Sequence, residues 1–290
     1  MEPARRQRYL KALGVRDFLG ERRQAAARRQ APAETASAGA PAPRTPPQSS
    51  QSPSSVAAPP FRSAARAPAA RQATLPETVI EAPVETPLPP LPPLDSLEAA
   101  QACVADCTRC ALHRTRTQTV FGVGATEAPL LVIGEGPGAE EDRRGEPFVG
   151  RAGQLLDAMM AAIGHDRGRN TYIANVVKCR PPNNRDPAPA EVEACRPFLD
   201  AQIDALQPRL ILAVGRVAAQ RLLNTEEPLS RLRGRTHYYG PASVPVWVSY
   251  HPAYLLRSPR EKAKAWEDLK RVHALLHDSG SSEQRDGTGG

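Results

Sequence analysis

Long apolar runs are missing from this sequence of 290 residues. No stretch approaches the roughly 20 apolar residues that a helix needs to cross a bilayer. The N-terminus is rich in arginine but has no apolar stretch of the kind found in a secretory signal. Both absences argue against a membrane-inserted or exported protein, so we expect the chain to act in the cytoplasm.

Large apolar and aromatic side chains are scarce as well. Aromatic residues make up only 4% of the sequence, whereas proline occurs 31 times. Residues 31–95 consist mainly of Ala, Pro, Ser, Thr and Gln. Such a segment cannot bury enough surface to offset its loss of conformational entropy. We therefore predict a disordered Pro/Ala-rich linker at 31–95, in which the Pro-Leu run at 87–93 is stiff and extended.

The remaining chain divides around this linker. Residues 96–278 are long enough to form one globular domain with a sizeable core, and 279–290 are predicted to be a disordered tail. Residues 1–30 form an arm in which 6–19 have the pattern of a short amphipathic helix. A motif that docks on a protein partner and a nascent helix are equal alternatives for this arm.

The excess of positive charge is uneven along the chain. The formal net charge is +7, but residues 1–95 contain 13 Lys and Arg against 8 Asp and Glu, and residues 96–290 contain 25 against 23. The predicted domain is therefore nearly neutral. A basic arm suits loose contact with a polyanion, and a solubilising tail is an equally good interpretation.

Cysteine is absent from the first 102 residues, and all five cysteines lie in the predicted domain. Cys107 and Cys110 form a CxxC pair, which Cys179 and Cys195 follow. Such clustering is more typical of metal ligands than of disulfides in a reducing compartment. Four thiolates from three segments can hold zinc or an iron–sulfur cluster, and the single CxxC favours [4Fe–4S] over a zinc ribbon. Buried inert cysteines are the alternative, which we expect to hold for the fifth, Cys103.

The apolar runs that do occur alternate with helical patterns. They predict strands at 129–133, 171–177, 210–214 and 244–249, and helices at 97–110, 154–160, 190–206, 215–223 and 260–276. This alternation predicts an α/β fold, a three-layer α/β/α arrangement with a mostly parallel, four-stranded central sheet. In such folds the strand-to-helix loops lie at one edge of the sheet, where ligands bind.

One of these loops is unusually rich in glycine and in acids. Residues 134–153 read GEGPGAEEDRRGEPFVGRAG and contain one aromatic side chain, Phe148. Glycines such as Gly136 allow close approaches that other residues resist. A loop of this composition after a buried strand indicates a functional site. A dinucleotide site is disfavoured, because Pro137 and the acids would repel a pyrophosphate.

This loop, the segment NVVKCRPP at 175–182 and the segment HPAYLLR at 251–257 resemble the family 4 uracil-DNA glycosylases. These are bacterial and archaeal enzymes that carry a [4Fe–4S] cluster. The resemblance covers residues 97–277, and it implies a DNA repair enzyme that flips uracil out of DNA and hydrolyses its N-glycosidic bond. We expect a monomer that associates with the bacterial nucleoid through uracil-containing DNA. In that family, the cysteines that match Cys107, Cys110, Cys179 and Cys195 hold the cluster, which is thought to be structural.

The reaction leaves positive charge on the sugar and negative charge on the base. The resemblance gives His251 the role of donating a hydrogen bond to the departing uracil O2. A carboxylate should stabilise the sugar cation or position water for attack. Glu135 is the first choice, and Glu141 and Asp142 are alternatives; by analogy with the family, Glu141 instead lines the pocket near uracil C5.

The expected substrate-binding residues are Gly136, Phe148, Asn175 and His251. Phe148 can stack on the extruded ring, with an ordinary core anchor as its alternative. The amide of Asn175 offers one donor and one acceptor, which match uracil O4 and N3–H and mismatch cytosine.

Three cations near the motif loops are expected to contact DNA phosphates, namely Arg257, Arg151 and Lys178. Any one of them taken alone is more often an ordinary surface charge.

Two other functions are alternatives to the hydrolysis of uracil from DNA. A related glycosylase traps uracil-containing DNA covalently through a histidine in an inserted KRRIH loop, but residues 180–187 here read RPPNNRDP without a histidine. A non-catalytic, polymerase-associated adaptor is the second alternative. The retained Glu135, Asn175 and His251 argue against an adaptor.

Overall fold

The computed structural model describes residues 88 and 90–278. The predictions for the arm at 1–30, for most of the linker at 31–95 and for the tail at 279–290 lie outside the described residues. Among the described residues, no helix combines the length and the apolar character that a bilayer crossing would require.

Six strands form one central sheet. They are β1 (Val123–Gly124), β2 (Leu130–Gly134), β3 (Thr171–Asn175), β4 (Leu210–Val214), β5 (His237–Tyr239) and β6 (Val244–Ser249), in the spatial order β1-β3-β2-β4-β6-β5. The four inner strands pair in parallel, and β1 and β5 pair antiparallel at the two edges. The predicted α/β class and the parallel core are confirmed, but the prediction of four strands is wrong. The two additional strands are only two and three residues long and partly exposed, so they lack the apolar run that marks the inner strands.

Eight α-helices are described, and four of them are the first α-helix after an inner strand. They are α1 (Leu97–Ala105), α2 (Ala139–Arg144), α3 (Arg151–Ala162), α4 (Pro189–Leu206), α5 (Arg216–Leu223), α6 (Leu229–Leu232), α7 (Pro252–Arg257) and α8 (Lys262–Asp278). The helix predicted at 97–110 ends at Ala105, so the CxxC pair follows the helix instead of ending it. The loop predicted at 134–153 contains the short helix α2, which ends at Gly145 in the left-handed conformation.

The side chains of the inner strands alternate between two apolar layers, as the period of a β-strand requires. On one face, Leu131 and Ile133 pack with residues of α1, α4 and α5. On the other face, Leu130 and Val132 pack with residues of α3 and α8. All five residues of β2 are buried. The sheet therefore has helices on both faces, which is the predicted three-layer arrangement.

The order of the strands fixes where a ligand can bind. β2 pairs with β3 on one side and with β4 on the other. The chain therefore moves in one direction from β2 to β3 and crosses back to reach β4. In open parallel sheets, ligands bind beyond the carboxyl ends of the strands at such a change of direction. Residues that follow β2, β3, β4 and β6 meet at this edge.

Candidate active site

A cavity of about 460 Å³ opens at the carboxyl edge of the sheet. Its walls come from the loop after β2, from the end of β3 and the loop that follows it, and from the start of α7. The predicted residues that line it are Glu135, Gly136, Glu141, Phe148, Asn175, His251 and Arg257. The structure therefore brings three separate motif segments into one pocket of a size that suits a small ligand.

Asn175 ends β3 and lies at the floor of this cavity with only 2% of its surface exposed. Its Oδ1 atom is buried, and the described residues offer it no hydrogen-bond partner. Buried polar atoms are nearly always paired, so an orphaned acceptor at a pocket needs an explanation. A ligand that presents an N–H group to Oδ1 would supply the missing partner.

The loop residue Phe148 provides an apolar wall beside Asn175. Its backbone is in the left-handed region, with φ 54°, and the carbonyl oxygens of Pro147 and Phe148 both accept hydrogen bonds from Arg167, each at 3.1 Å. The Phe148 ring centroid lies 5.6 Å from that of His251, with an angle of 31° between the rings. A flat ring can lie against this wall and reach His251.

Glycines make these close approaches possible at two positions. A Cβ atom at Gly134 would lie 2.5 Å from Asn175 Oδ1 and 2.6 Å from Phe148 Cζ. A Cβ atom at Gly153, in α3, would lie 1.7 Å from the Phe148 carbonyl oxygen. No side chain fits at either position without moving Phe148 or Asn175.

His251 is held in one tautomer by a backbone N–H group in the first turn of α7. It precedes α7, and its Nδ1 atom accepts a hydrogen bond of 3.1 Å from the Ala253 N–H. Burial, together with the positive charge of Arg257, lowers the pKa of His251 to about 4, although Glu141 acts in the opposite direction. The ring is therefore neutral at physiological pH. Because Nδ1 is the acceptor, the ring proton is on Nε2, which makes Nε2–H a neutral hydrogen-bond donor.

The carboxylates of the loop have distinct environments. Burial, with the negative charge of Asp186 next, raises the pKa of Glu135 to about 7, and Arg216 opposes this rise. Glu141 accepts hydrogen bonds from the Val149 N–H at 3.0 Å and the Gly150 N–H at 3.3 Å. Glu135 is thus the carboxyl group that can change its charge near neutral pH.

Asp142 belongs to the scaffold and not to the pocket. It is 3% exposed, and both of its oxygens accept from the Thr117 N–H, at 2.9 and 3.1 Å. It does not belong to the set of residues that line the cavity. Its position therefore gives no support to the alternative that Asp142 carries the chemistry.

The predicted cations occupy three different environments. Arg257 lines the cavity and is exposed, and Arg151 is exposed at the first residue of α3. Lys178 is completely buried, and its Nζ atom donates to the Asn175 carbonyl at 2.8 Å and to Gln202 Oε1 at 2.5 Å. The prediction that Lys178 contacts phosphate is wrong, because none of its surface can reach DNA. The pattern of its neighbours in sequence does not distinguish a buried lysine from an exposed one.

The cysteines lie on the α4 side of the sheet. Cys179 and Cys195 are buried, and Cys107 and Cys110 are partly exposed. Burial raises the pKa of the Cys179 thiol; Arg116 opposes this rise, and Cys110 and Cys107 add to it. Burial also raises the pKa of Cys195 to about 12, with further contributions from Cys179 and Cys110. Charge on Cys110 or Cys107 therefore affects the pKa of Cys179, and charge on Cys179 or Cys110 affects the pKa of Cys195.

Two N–H donors already point at the sulfur atoms. The backbone N–H of Lys178 donates to Cys195 Sγ at 3.3 Å, and Arg116 donates to Cys179 Sγ at 3.2 Å. Among residues 90–278, no three His, Cys, Asp or Glu side chains form a group that could hold a metal ion. Cys103 is partly buried on α1 against the core, in keeping with the expected role of a packing residue.

Several known proteins are similar to this chain in sequence. The model of the uracil DNA glycosylase superfamily matches residues 121–270, which is more than half of the chain. The chain belongs to this superfamily. A Type-4 uracil-DNA glycosylase of Archaeoglobus fulgidus is 43% identical over 179 residues, which cover 59% of this chain and 89% of the relative. The Type-4 enzyme of Pyrobaculum aerophilum is 42% identical over 172 residues, covering 57% and 87%. The Type-4 enzyme of Thermotoga maritima is 40% identical over 182 residues, covering 61% and 93%.

These similarities confirm the resemblance to family 4 that the three sequence segments indicate. They also cover nearly the whole length of the relatives. The structure adds residues to which the sequence analysis assigned no role. The charges of Asp186 and Arg216 affect the pKa of Glu135, and Arg185 and Tyr254 line the cavity. Arg216 lies two residues after the third predicted strand, where the rule that ligands gather at strand ends applies. Asp186 lies in the segment at 180–187 and Tyr254 in the segment at 251–257, but their residue types indicated no particular role.

Proposed function

We propose that this protein is a uracil-DNA glycosylase that hydrolyses the N-glycosidic bond of a flipped-out uracil, releases the free base and leaves an abasic site. The observation that carries the proposal is the orphaned Oδ1 atom of Asn175 at the floor of the cavity. Uracil N3–H can donate to this atom, while the amide nitrogen of the same side chain donates to O4. Cytosine presents an acceptor at N3 and a donor at N4, so it mismatches both contacts.

The remaining walls suit a planar base. Phe148 offers the face of its ring, and stacking on an aromatic side chain contributes roughly 1–3 kcal/mol per base. Glu141 also lines the cavity, where its carboxylate is held by two backbone N–H groups. Its fixed position suits the pocket-lining role near uracil C5 more than a role in proton transfer.

His251 acts on the departing base. As the glycosidic bond breaks, negative charge develops on uracil O2, and the neutral Nε2–H of His251 donates a hydrogen bond to that oxygen. A donor aimed at charge that appears only in the transition state lowers the barrier to the reaction. A neutral donor does not have to give up its proton, so the base can leave as an anion.

Glu135 acts on the sugar. In its ionised form, the carboxylate stabilises the positive charge that develops on the sugar, or orients water for attack at the same carbon. The pKa of about 7 that burial and Asp186 produce gives a substantial ionised fraction at neutral pH. Glu135 is therefore the carboxylate we assign to catalysis.

Binding of the DNA also requires side chains that contact its phosphates. Arg257 at the rim of the cavity and Arg151 at the start of α3 are both exposed and on the side of the motif loops. We assign phosphate contacts to these two arginines. Such a substrate implies that the enzyme works in the cytoplasm, at the nucleoid.

We assign a [4Fe–4S] cluster to Cys107, Cys110, Cys179 and Cys195. The chemistry of the donor set supports such a group: four thiols come from three segments, their charges affect one another's pKa, and N–H groups point at two of the sulfurs. The four thiolates would hold the cluster, and they would thereby link the segment after α1 to α4 and to the loop after β3, which is a structural contribution.

Neither competing function has the same support. The covalent relative needs a histidine in the loop after β3, and this loop contains none. An adaptor without activity would need neither the fixed tautomer of His251 nor an ionisable Glu135 in the same pocket as Asn175. Hydrolysis of the N-glycosidic bond is the function that uses His251, Glu135 and Asn175 together.

The direct test is the release of free uracil from a uracil-containing oligonucleotide by the purified protein. We expect turnover with the wild type and a strongly reduced single-turnover rate for His251→Ala and Glu135→Ala, with DNA affinity almost unchanged, because both residues act on charges that exist only in the transition state. Arg151→Gln, which removes a phosphate contact, should show the opposite pattern. A wild type that binds uracil-containing DNA without releasing the base would favour the adaptor.

The cluster has a separate test. Purified without oxygen, the wild type should be brown and contain about four irons per chain. Cys179→Ser should lose the colour or fail to fold, and Cys103→Ser, the matched control, should keep it. A folded, colourless wild type with one zinc would contradict the cluster.

A further inference from the structure

The loop that contains Phe148 has an unusual backbone conformation. Phe148 is in the left-handed region, with φ 54°, which a bulky side chain rarely adopts. A residue in such a conformation persists only where its surroundings hold it in place. Phe148 is buried and lines the cavity, so the contacts that hold its backbone also determine where its ring lies.

Arg167 supplies the contacts on one side of this loop. It lies in the segment between α3 and β3. Its Nη1 atom donates to the Pro147 carbonyl and its Nη2 atom to the Phe148 carbonyl, each at 3.1 Å. A planar guanidinium presents its N–H groups in a fixed geometry, which suits two neighbouring acceptors better than the single ammonium of a lysine. One side chain therefore holds the peptide groups on both sides of Phe148.

These two hydrogen bonds restrict both backbone dihedral angles of Phe148. The Pro147 carbonyl belongs to the peptide group before Phe148, which defines φ, and the Phe148 carbonyl belongs to the peptide group after it, which defines ψ. The N–H of this second peptide group, that of Val149, donates to Glu141 at 3.0 Å. The peptide group after Phe148 is therefore held through its carbonyl by Arg167 and through its N–H by Glu141.

Arg167 is in turn fixed to α3. Its Nε and Nη2 atoms donate to Asp157 Oδ1 at 3.1 and 2.7 Å. The same helix contains Gly153, where a side chain would overlap the Phe148 carbonyl oxygen. The position of Phe148 therefore depends on α3 in two ways, through close packing at Gly153 and through the hydrogen bonds of Arg167.

We propose that Arg167, held on α3 by Asp157, is a positioning residue for Phe148: it fixes the left-handed backbone that places the ring in the cavity wall, where the ring stacks on the flipped-out base. This inference rests on the proposed function, in which Phe148 stacks on uracil. Without Arg167, the loop should relax to a less strained conformation. The ring should then lose its fixed place beside His251, whose ring centroid lies 5.6 Å from its own.

The experiment compares single-turnover rates of uracil release. Arg167→Met keeps the apolar part of the side chain and removes all of its donors, so the rate should fall. Arg167→Lys retains the charge but has one nitrogen in place of the planar group, so it should retain only part of the wild-type rate. Asp157→Asn leaves the donors to the two carbonyls in place and should cause a smaller loss than Arg167→Met. Because the Asp157 side chain is 51% exposed, this variant tests the contact even if Arg167→Met does not fold.

Arg169→Met is the matched control. Arg169 lies in the same segment as Arg167, and its Nε atom donates to Asp166 Oδ2 at 2.7 Å. Each methionine variant removes one positive charge and one ion pair, so both weaken the general attraction to DNA to a similar extent. The rate of Arg169→Met should stay at the wild-type level. Equal rates in the two methionine variants would overturn the inference.

A double-variant cycle distinguishes the positioning of Phe148 from a general loss of structure. Phe148→Leu removes the stacking ring and should lower the rate by about 5- to 150-fold, as expected for the loss of one stacked base. If Arg167 acts through this ring, the loss caused by Arg167→Met should be at least about 2-fold smaller in the Phe148→Leu background than in the wild type. Losses that simply multiply would contradict the positioning role.

A second measurement does not depend on activity. The aromatic signals of Phe148 can be followed by NMR in protein labelled with ¹³C-phenylalanine, a residue that occurs five times in the chain, and Phe148→Leu assigns them. In the absence of DNA, Arg167→Met should shift or broaden these signals, and Arg169→Met should leave them unchanged. Unchanged signals in Arg167→Met would refute the inference and leave the proposed function intact. If the wild type releases no uracil, the proposed function fails, and these signals then decide whether Arg167 positions the ring.

Discussion

Two polar side chains in the pocket differ in whether the protein itself supplies their hydrogen-bond partners. His251 Nδ1 already accepts from a backbone N–H, whereas Asn175 Oδ1 is buried without a partner among the described residues. The first is ready to donate before any ligand arrives. The second gains its partner only from a ligand, so it can distinguish one base from another.

Asn175→Asp tests this distinction. The substitution replaces the amide donor with a second acceptor, which opposes uracil O4 but can accept from cytosine N4–H. We expect the single-turnover rate on uracil to fall by about 5- to 150-fold, because a lost buried contact of this kind costs roughly 1–3 kcal/mol, and we expect weak activity on cytosine. Cleavage of uracil at the wild-type rate would show that Asn175 does not read the base.

The protonation state of His251 gives a second prediction. Because its pKa is lowered to about 4 by burial and by Arg257, the ring should be neutral throughout the range from pH 5.5 to pH 8. ¹⁵N NMR of the ring should show the Nε2–H tautomer across this range, and Arg257→Gln should raise the pKa, since it removes a nearby positive charge. A ring that titrates near 6.5 in the wild type would contradict the neutral donor.

At the scale of single residues, sequence patterns identified much of the pocket. Glu135, Phe148, Asn175 and His251 were predicted from strand-end positions and from the resemblance, and the structure brings all four to one cavity. Lys178 was misassigned, because burial depends on α4 and Gln202, which lie well downstream in the chain. Its neighbours in sequence hold no information about that contact.

At the scale of elements, the inner strands were predicted almost to the residue. Strands β4 and β6 have the predicted bounds, β2 differs by one residue at each end, and β3 ends two residues before the predicted 177. The agreement is close because a fully buried parallel strand is a continuous apolar run. The edge strands β1 and β5 were missed, because they are short and partly exposed. Helix α2 was missed because its residues are nearly all charged and show no apolar face.

The contact between α3 and the Phe148 loop offers a test at this scale. In Gly153→Ala, the new methyl group would overlap the Phe148 carbonyl oxygen, so the helix or the loop must move. We expect a loss of about 1–3 kcal/mol in the free energy of unfolding, as for overpacked cores, and a lower rate of uracil release. Urea unfolding and single-turnover kinetics measure the two effects.

The control for this variant is Gly168→Ala. Gly168 is exposed, and its new methyl group would meet only a side-chain oxygen of Asp166, at 3.3 Å. Its free energy of unfolding should change by less than about 0.5 kcal/mol, as is usual for surface substitutions. If both alanine variants behave alike, the close packing of α3 on the Phe148 loop does not shape the pocket.

At the scale of the whole molecule, the first third of the sequence and the rest have different physical properties. Residues 96–278 contain the core, the cavity and the cysteines, and the family model matches 121–270. Residues 1–95 contain no motif of the site and carry 13 Lys and Arg against 8 Asp and Glu. The residues of the active site therefore all lie in 96–278, and any contribution of residues 1–95 should depend on charge.

Deletion of residues 1–95 tests this division. We expect the shortened protein to fold, as judged by circular dichroism, and to release uracil from short oligonucleotides at the wild-type rate. Its affinity for long DNA should be lower and less sensitive to salt, because each phosphate contact that is lost reduces the slope of log K against log salt by about 0.9 on duplex DNA.

A matched variant keeps the full length but replaces Arg22, Arg23, Arg28 and Arg29 with glutamine. If that variant reproduces part of the loss, the arm acts through its charge. If it retains wild-type affinity while the deletion does not, the arm acts through a feature other than these arginines. A shortened protein that does not fold would show that the domain begins before residue 96.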